Sequence, residues 1–148
     1  MRVIALGAAA MLAGWAMPAA AQGKEQPIRA FEGQCSSDSR VAGNPYPCDL
    51  LVQARIDPKG PNLMLMFAKK GDDAVPMIGI GGKLDGSGTL IVDGVQFRAG
   101  DRIPFDGSCA FTRSGRKITA VRCTATEKGG EGRTILIDFP VTTELKTS

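Results

Sequence analysis

The chain has 148 residues and a net charge of +3, from 18 Lys and Arg against 15 Asp and Glu. That is material for one domain, and it excludes a large multidomain enzyme or a long repeat array. The sequence contains no histidine, which removes the commonest general base, the commonest metal ligand and every Ser-His or Cys-His nucleophile pair.

Residues 1–21 read as a cleaved secretory signal. Arg2 supplies a positive start, Val3 to Met17 is an uncharged and mostly apolar run, and Pro18 breaks it. Ala19-Ala20-Ala21 then gives the small-residue cleavage pattern. The apolar run is shorter than the roughly 20 residues needed to span a bilayer. Leu12-Ala13-Gly14 is followed by Trp15 where a lipid-modified cysteine would stand. The expected product is periplasmic or secreted, with no stable membrane insertion after cleavage.

Residues 22–34 are polar and read as a flexible leader into one β-domain spanning 35–148. The segment from Cys35 to Cys48 is rich in Ser, Asp, Gly, Asn and Pro and reads as a loop. Asp49–Ile56 alternates, with Leu50, Val52, Ala54 and Ile56 assigned to the buried face and Asp49, Gln53 and Arg55 to the other. Leu63–Ala68 is apolar on both faces, as a central strand would be. Val75–Ile80 carries Pro76 and Gly79 and reads as an edge strand. Gly81 to Gly88 reads as a flexible glycine-rich loop.

Asp93-Gly94 stands between the apolar runs Thr89–Val92 and Val95–Arg98. This spacing predicts a two-residue type I′ hairpin, because both turn residues would need positive φ. Cys109–Arg113 and Lys117–Cys123 form a second predicted hairpin around Ser114-Gly115-Arg116. Lys128–Gly132 is a loop, and Thr134–Phe139 is the last strand, with Ile135, Ile137 and Phe139 on one face. The pattern predicts an all-β fold: a small antiparallel sandwich or barrel of about seven or eight short strands.

The four cysteines, Cys35, Cys48, Cys109 and Cys123, read as disulfides in an exported chain. Three pairings are available. The local one, Cys35–Cys48 with Cys109–Cys123, is preferred, because a hairpin around residues 114–116 sets Cys109 opposite Cys123. Each local bridge closes a loop worth about 3 kcal/mol in the chain-entropy model. A metal site would need short C-x-x-C spacing or histidine partners. Neither is present, and no metal or cofactor is expected.

Three motifs invite chemistry and fail on detail. Gly79-Ile80-Gly81-Gly82-Lys83 lacks the first Gly and the final Ser or Thr of a phosphate loop. Asp85-Gly86-Ser87-Gly88 lacks the oxygen spacing of a calcium loop. Ser114-Gly115-Arg116-Lys117 matches Ser-x-x-Lys but falls in a turn, whereas that chemistry needs a helix start.

Arg113, Arg116 and Lys117 concentrate positive charge at one hairpin tip, with Arg122, Lys128 and Arg133 assigned to the same side. Such a patch attracts anionic glycans, lipid phosphates or an acidic protein face. Nucleic acid is not expected, because no aromatic platform is interleaved with the cations.

Several segments together resemble the invasion-associated locus B family of exported alphaproteobacterial proteins. Phe31-Glu32-Gly33-Gln34-Cys35 is similar to that family's opening segment. Cys48-Asp49-Leu50-Leu51-Val52-Gln53 resembles its Cys-x-Leu strand. Ile91-Val92-Asp93-Gly94, Pro104-Phe105 and Cys109 resemble its Asp-Gly turn, Pro-Phe and third cysteine. The opening Trp is missing, and the last two cysteines are further apart than in the family. The resemblance implies an exported, disulfide-bonded β-domain with an envelope or host-interaction role and no catalytic residues. The leading expectation is therefore a non-catalytic binding or structural module that contacts an anionic envelope component or protein. The alternative is an inhibitor of a secreted hydrolase such as a lysozyme or protease.

Overall fold

The computed structural model describes residues 28–57, 60–98 and 101–146. The signal segment 1–21 and residues 22–27 of the expected leader lie outside them. Ten strands occur among the described residues: β1 (Ile28–Gly33), β2 (Arg40–Val41), β3 (Asn44–Pro45), β4 (Leu50–Arg55), β5 (Asn62–Ala68), β6 (Ile78–Leu84), β7 (Leu90–Arg98), β8 (Asp101–Ser114), β9 (Lys117–Glu127) and β10 (Thr134–Leu145). The order β1-β4-β5-β6-β7-β8-β9-β10 closes on itself, because β10 also pairs with β1. Every rung of this eight-stranded barrel is antiparallel. Closure pairs most of the strand edge that an open sheet would leave to aggregate.

The all-β expectation holds, and of its two forms the barrel is the one found. Side chains fill the interior. Phe31, Phe67, Phe105 and Phe139 are fully buried with Leu51, Leu65, Ile80, Val95 and Ile137. Burying one such side chain contributes about 1.5–3 kcal/mol. Phe67 and Phe139 meet edge to face, with ring centroids 6.0 Å apart. Outward positions on β8, β9 and β10 include Asp106, Arg122, Thr124 and Asp138. On β4 and β5 the outward positions are apolar instead, at Leu50, Val52, Met64 and Met66.

Both local disulfides form, Cys35–Cys48 and Cys109–Cys123. Cys109 and Cys123 are directly paired across β8 and β9, with Cα atoms 4.0 Å apart, and both are fully buried. The bridge therefore crosses two neighbouring strands inside the barrel. The disulfides belong to an oxidising compartment.

Several expectations are corrected. Ile28–Gly33, assigned to the leader, is β1, the strand that closes the barrel. The Cys35–Cys48 segment is more than a loop. Its short strands β2 and β3 pair with each other, and β2 adds to β10 at Ile135 and Leu136. Ser39 pins this flap: its hydroxyl accepts from the Asp138 N–H at 3.1 Å. Tyr46 seals it, its phenol lying 3.0 Å from the Phe67 carbonyl and 2.7 Å from that of Pro76.

The buried face of β4 is the reverse of the expected one. Leu51 is fully buried opposite Phe67, and Gln53 opposes Leu65. Leu50, Val52 and Ala54 turn outward, where they pair with Ala68, Met66 and Met64. The expected edge strand at 75–80 and the expected loop at 81–88 are also corrected. β6 starts after Pro76 and lies between β5 and β7, and only the Asp85 turn remains outside it.

Asp93-Gly94 makes no hairpin. β7 runs through it, and Asp93 is the extra residue of a bulge opposite Gly81 and Gly82. Arg102 lies flat on the outer glycines here. A Cβ on Gly94 would stand 2.6 Å from Arg102 Nε, and one on Gly81 would stand 3.0 Å from its Nη1. Gly94 thus provides a close approach rather than a positive φ.

Candidate functional site

Strand directions divide the barrel's loops between two ends. The flap, the turns at 69–77 and 128–133 and the start of β8 sit at one end. The 85–88 turn, the 115–116 turn and the outer ends of β1 and β10 sit at the other.

Arg113, Arg116 and Lys117 lie together at the second end, at the tip of the β8–β9 hairpin. Ser114 pairs with Lys117 across Gly115 and Arg116. Gly115 has φ +64°, and Arg116 is not among the positive-φ residues, which makes this a type II′ turn. All three cationic side chains are exposed. Arg113 leans over the Phe111 ring, 5.8 Å from its centroid. None of the three meets a carboxylate among the described residues.

Other cations do. Arg29, Lys70, Arg102, Arg122, Lys128 and Arg133 pair with Glu144, Glu32, Asp93, Asp138, Asp106 and Glu127 respectively. The expectation that Arg122, Lys128 and Arg133 extend the basic tip is thereby corrected. Lys128 and Arg133 lie at the opposite end of β9, roughly 30 Å away at about 3.3 Å per residue. Arg122 is mid-strand and faces Asp138 at 3.9 Å.

A split in the barrel wall adjoins the tip. The β9–β10 ladder ends at Pro140↔Ala120. Two bulges then draw the strands apart. On β9, Thr119 is extra, since Thr112 pairs with Ala120 but Arg113 pairs with Ile118. On β10, Thr142 is extra, since Gly33 pairs with Val141 but Glu32 pairs with Thr143. Bulges bend and twist the strand that carries them. β9 thus follows β8, and β10 follows β1. The opening between them is a cavity of about 320 Å³ lined by Lys117, Ile118, Thr119 and Val141–Glu144. The bulge also explains why Ile118 and Val121, three residues apart, are both buried.

A larger cleft, about 460 Å³, lies at the flap end. Val41, Pro45, Tyr46, Val75, Phe97 and Arg133 are among its walls. The Arg133 guanidinium stacks on Phe97 at 4.7 Å and is held by Glu127 at 2.8 Å. This partner holds the Glu127 carboxyl below the usual carboxylate range, and Arg29 does the same for Glu144. The cleft's charged side chain, Arg133, and its phenol, Tyr46, are thus already engaged.

The rejected motifs have structural roles. Gly79–Lys83 lies in β6. The Asp85 carboxylate accepts from the Ser87 and Thr89 backbone N–H groups at 2.8 and 3.0 Å, closing its own turn, and its pKa is lowered mainly by the Ser87 hydroxyl. The sequence reading located the tip but missed the split and the cleft. Pro140 within an alternating strand was the available signal, since proline in a sheet marks an edge or a bulge.

No protein-family model matches the chain, and neither a curated protein nor a solved structure matches it.

Proposed function

We propose that the protein is an exported, non-catalytic binding module whose β8–β9 hairpin tip contacts an anionic partner, either an envelope component or a protein. One observation carries this reading. Arg113, Arg116 and Lys117 cluster at one hairpin tip without carboxylate partners, while six cations elsewhere are paired and the other described ones without a carboxylate, Arg40, Arg55, Lys69, Lys83 and Lys146, lie on other strands and turns. Two disulfides and a filled core make the barrel a rigid mount for that tip. The partner is desolvated and oriented by the hairpin, and no bond is made or broken. The signal-like residues 1–21 and the resemblance to the invasion-associated locus B family support a periplasmic or secreted setting.

The test is affinity capture from an envelope extract, using the oxidised protein beside R113A/R116A/K117A at low and moderate salt. A component held by the wild type, and lost with the triple change or with salt, is the expected result. Identical retention by both proteins would contradict it.

A further inference from the structure

We infer that the split between β9 and β10 receives an extended acidic segment of a partner protein, which docks as an added strand. The inference rests on the basic-tip reading and gives it a binding mode.

Three observations converge. The first is an interrupted ladder. Continuing the β9–β10 register past Pro140↔Ala120 would set Val141 against Thr119, Thr142 against Ile118 and Thr143 against Lys117. Those same residues line the opening. Two strand margins therefore face a common space with their pairing discontinued, and such margins are templates for an incoming strand.

The second is charge. Lys117 belongs both to the split and to the tip, and Arg113 and Arg116 flank it on the same hairpin. The lining's one acid, Glu144, is already matched by Arg29 through two bonds of 2.9 and 2.8 Å. An entering segment therefore meets uncompensated positive charge, which favours Asp and Glu side chains.

The third is construction. The opening is built by two bulges and a proline, while the disulfide Cys109–Cys123 ties β9 to β8 and the buried Phe139, paired with Val121, ties β10 to β9 further along. The margins are thus preorganised, which lowers the ordering cost of binding.

The probe is a seven-residue peptide alternating Glu and Val, added to the oxidised protein and followed by fluorescence anisotropy. Two companion peptides carry backbone N-methyl groups on the odd or the even residues, with charge unchanged. Inorganic polyphosphate serves as an anion without a peptide backbone. The expected result is binding that weakens at least about tenfold in R113A/R116A/K117A and about tenfold with one or both methylated peptides. Hydrogen exchange at 117–119 and 141–145 should slow on binding.

If both methylated peptides bind as well as the parent while the triple variant still fails, strand docking is overturned and the basic-tip reading survives. If neither anion binds, or the triple change has no effect, both are overturned. If the exchange protection arises without peptide and grows with protein concentration, the occupant is a second copy of this chain, which also overturns the proposal. The triple variant changes only exposed side chains, and its unfolding midpoint checks that it is folded.

Discussion

Pro140 stands opposite Ala120 on the last rung shared by β9 and β10. Beyond it the strands part, and the gap opens beside the hairpin that carries Arg113, Arg116 and Lys117. A barrel wall, a basic tip and an opening are thus assembled from consecutive residues of three neighbouring strands.

The buried bridge is expected to dominate resistance to unfolding. C109A/C123A removes a crosslink between directly paired strands and is expected to cost about 3 kcal/mol from loop entropy alone. Urea unfolding of wild type and variant measures this. Equal midpoints would show that the bridge contributes nothing.

Tyr46 should titrate late. Burial pushes its phenol well above the ordinary value near 10. The folded pKa lies above the unfolded one, so this contribution to stability is complete below the unfolded value. It is lost as pH rises through the folded one. Absorbance at 295 nm should show tyrosinate appearing together with alkaline unfolding rather than before it. Y46F leaves the Phe67 and Pro76 carbonyls short of a donor and is expected to cost about 1–2 kcal/mol.

Acid should weaken the protein through its carboxylates. Glu127 and Glu144 are held low by Arg133 and Arg29. Their contribution is present above the unfolded carboxylate pKa and lost as pH falls through the lowered folded values. Urea midpoints measured from neutral to acidic pH should fall, and E127Q/E144Q should flatten that fall. An unchanged slope would count against these pairs.

Glycines differ sharply in what they tolerate. A Cβ on Gly107 would stand 2.0 Å from the Thr124 carbonyl oxygen, whereas one on Gly86 meets nothing within 4 Å. G107A is expected to cost about 2–3 kcal/mol, as overpacking of a closed wall does. G86A is expected to change little. Thermal denaturation of the two side by side checks the contrast.

Local signals carried much of the fold. Cys109 and Cys123 could be paired because a short polar turn lies between two alternating runs, and that information is contained within the hairpin. Barrel closure had no such signal. β1 meets β10 across almost the whole chain, and Ile28–Gly33 is too short and mixed to declare its partner. The β4 face was misread because Leu50, Leu51, Val52 and Ala54 are apolar on both sides, so alternation cannot choose between them. Asp93-Gly94 was misread because a dipeptide suited to a turn also suits a bulge under Arg102. At the site, the cations were visible in sequence. The absence of partners for them is a tertiary fact, and so is the split.

The most direct test of the central claim is residue-resolved mapping of anion binding. Amide spectra of the oxidised, isotope-labelled protein would be recorded while the alternating Glu-Val peptide is added. The account predicts shifts concentrated at residues 113–119 and 141–145. Shifts concentrated at the flap-end cleft, around Val41–Tyr46, Val75, Phe97 and Arg133, would contradict it.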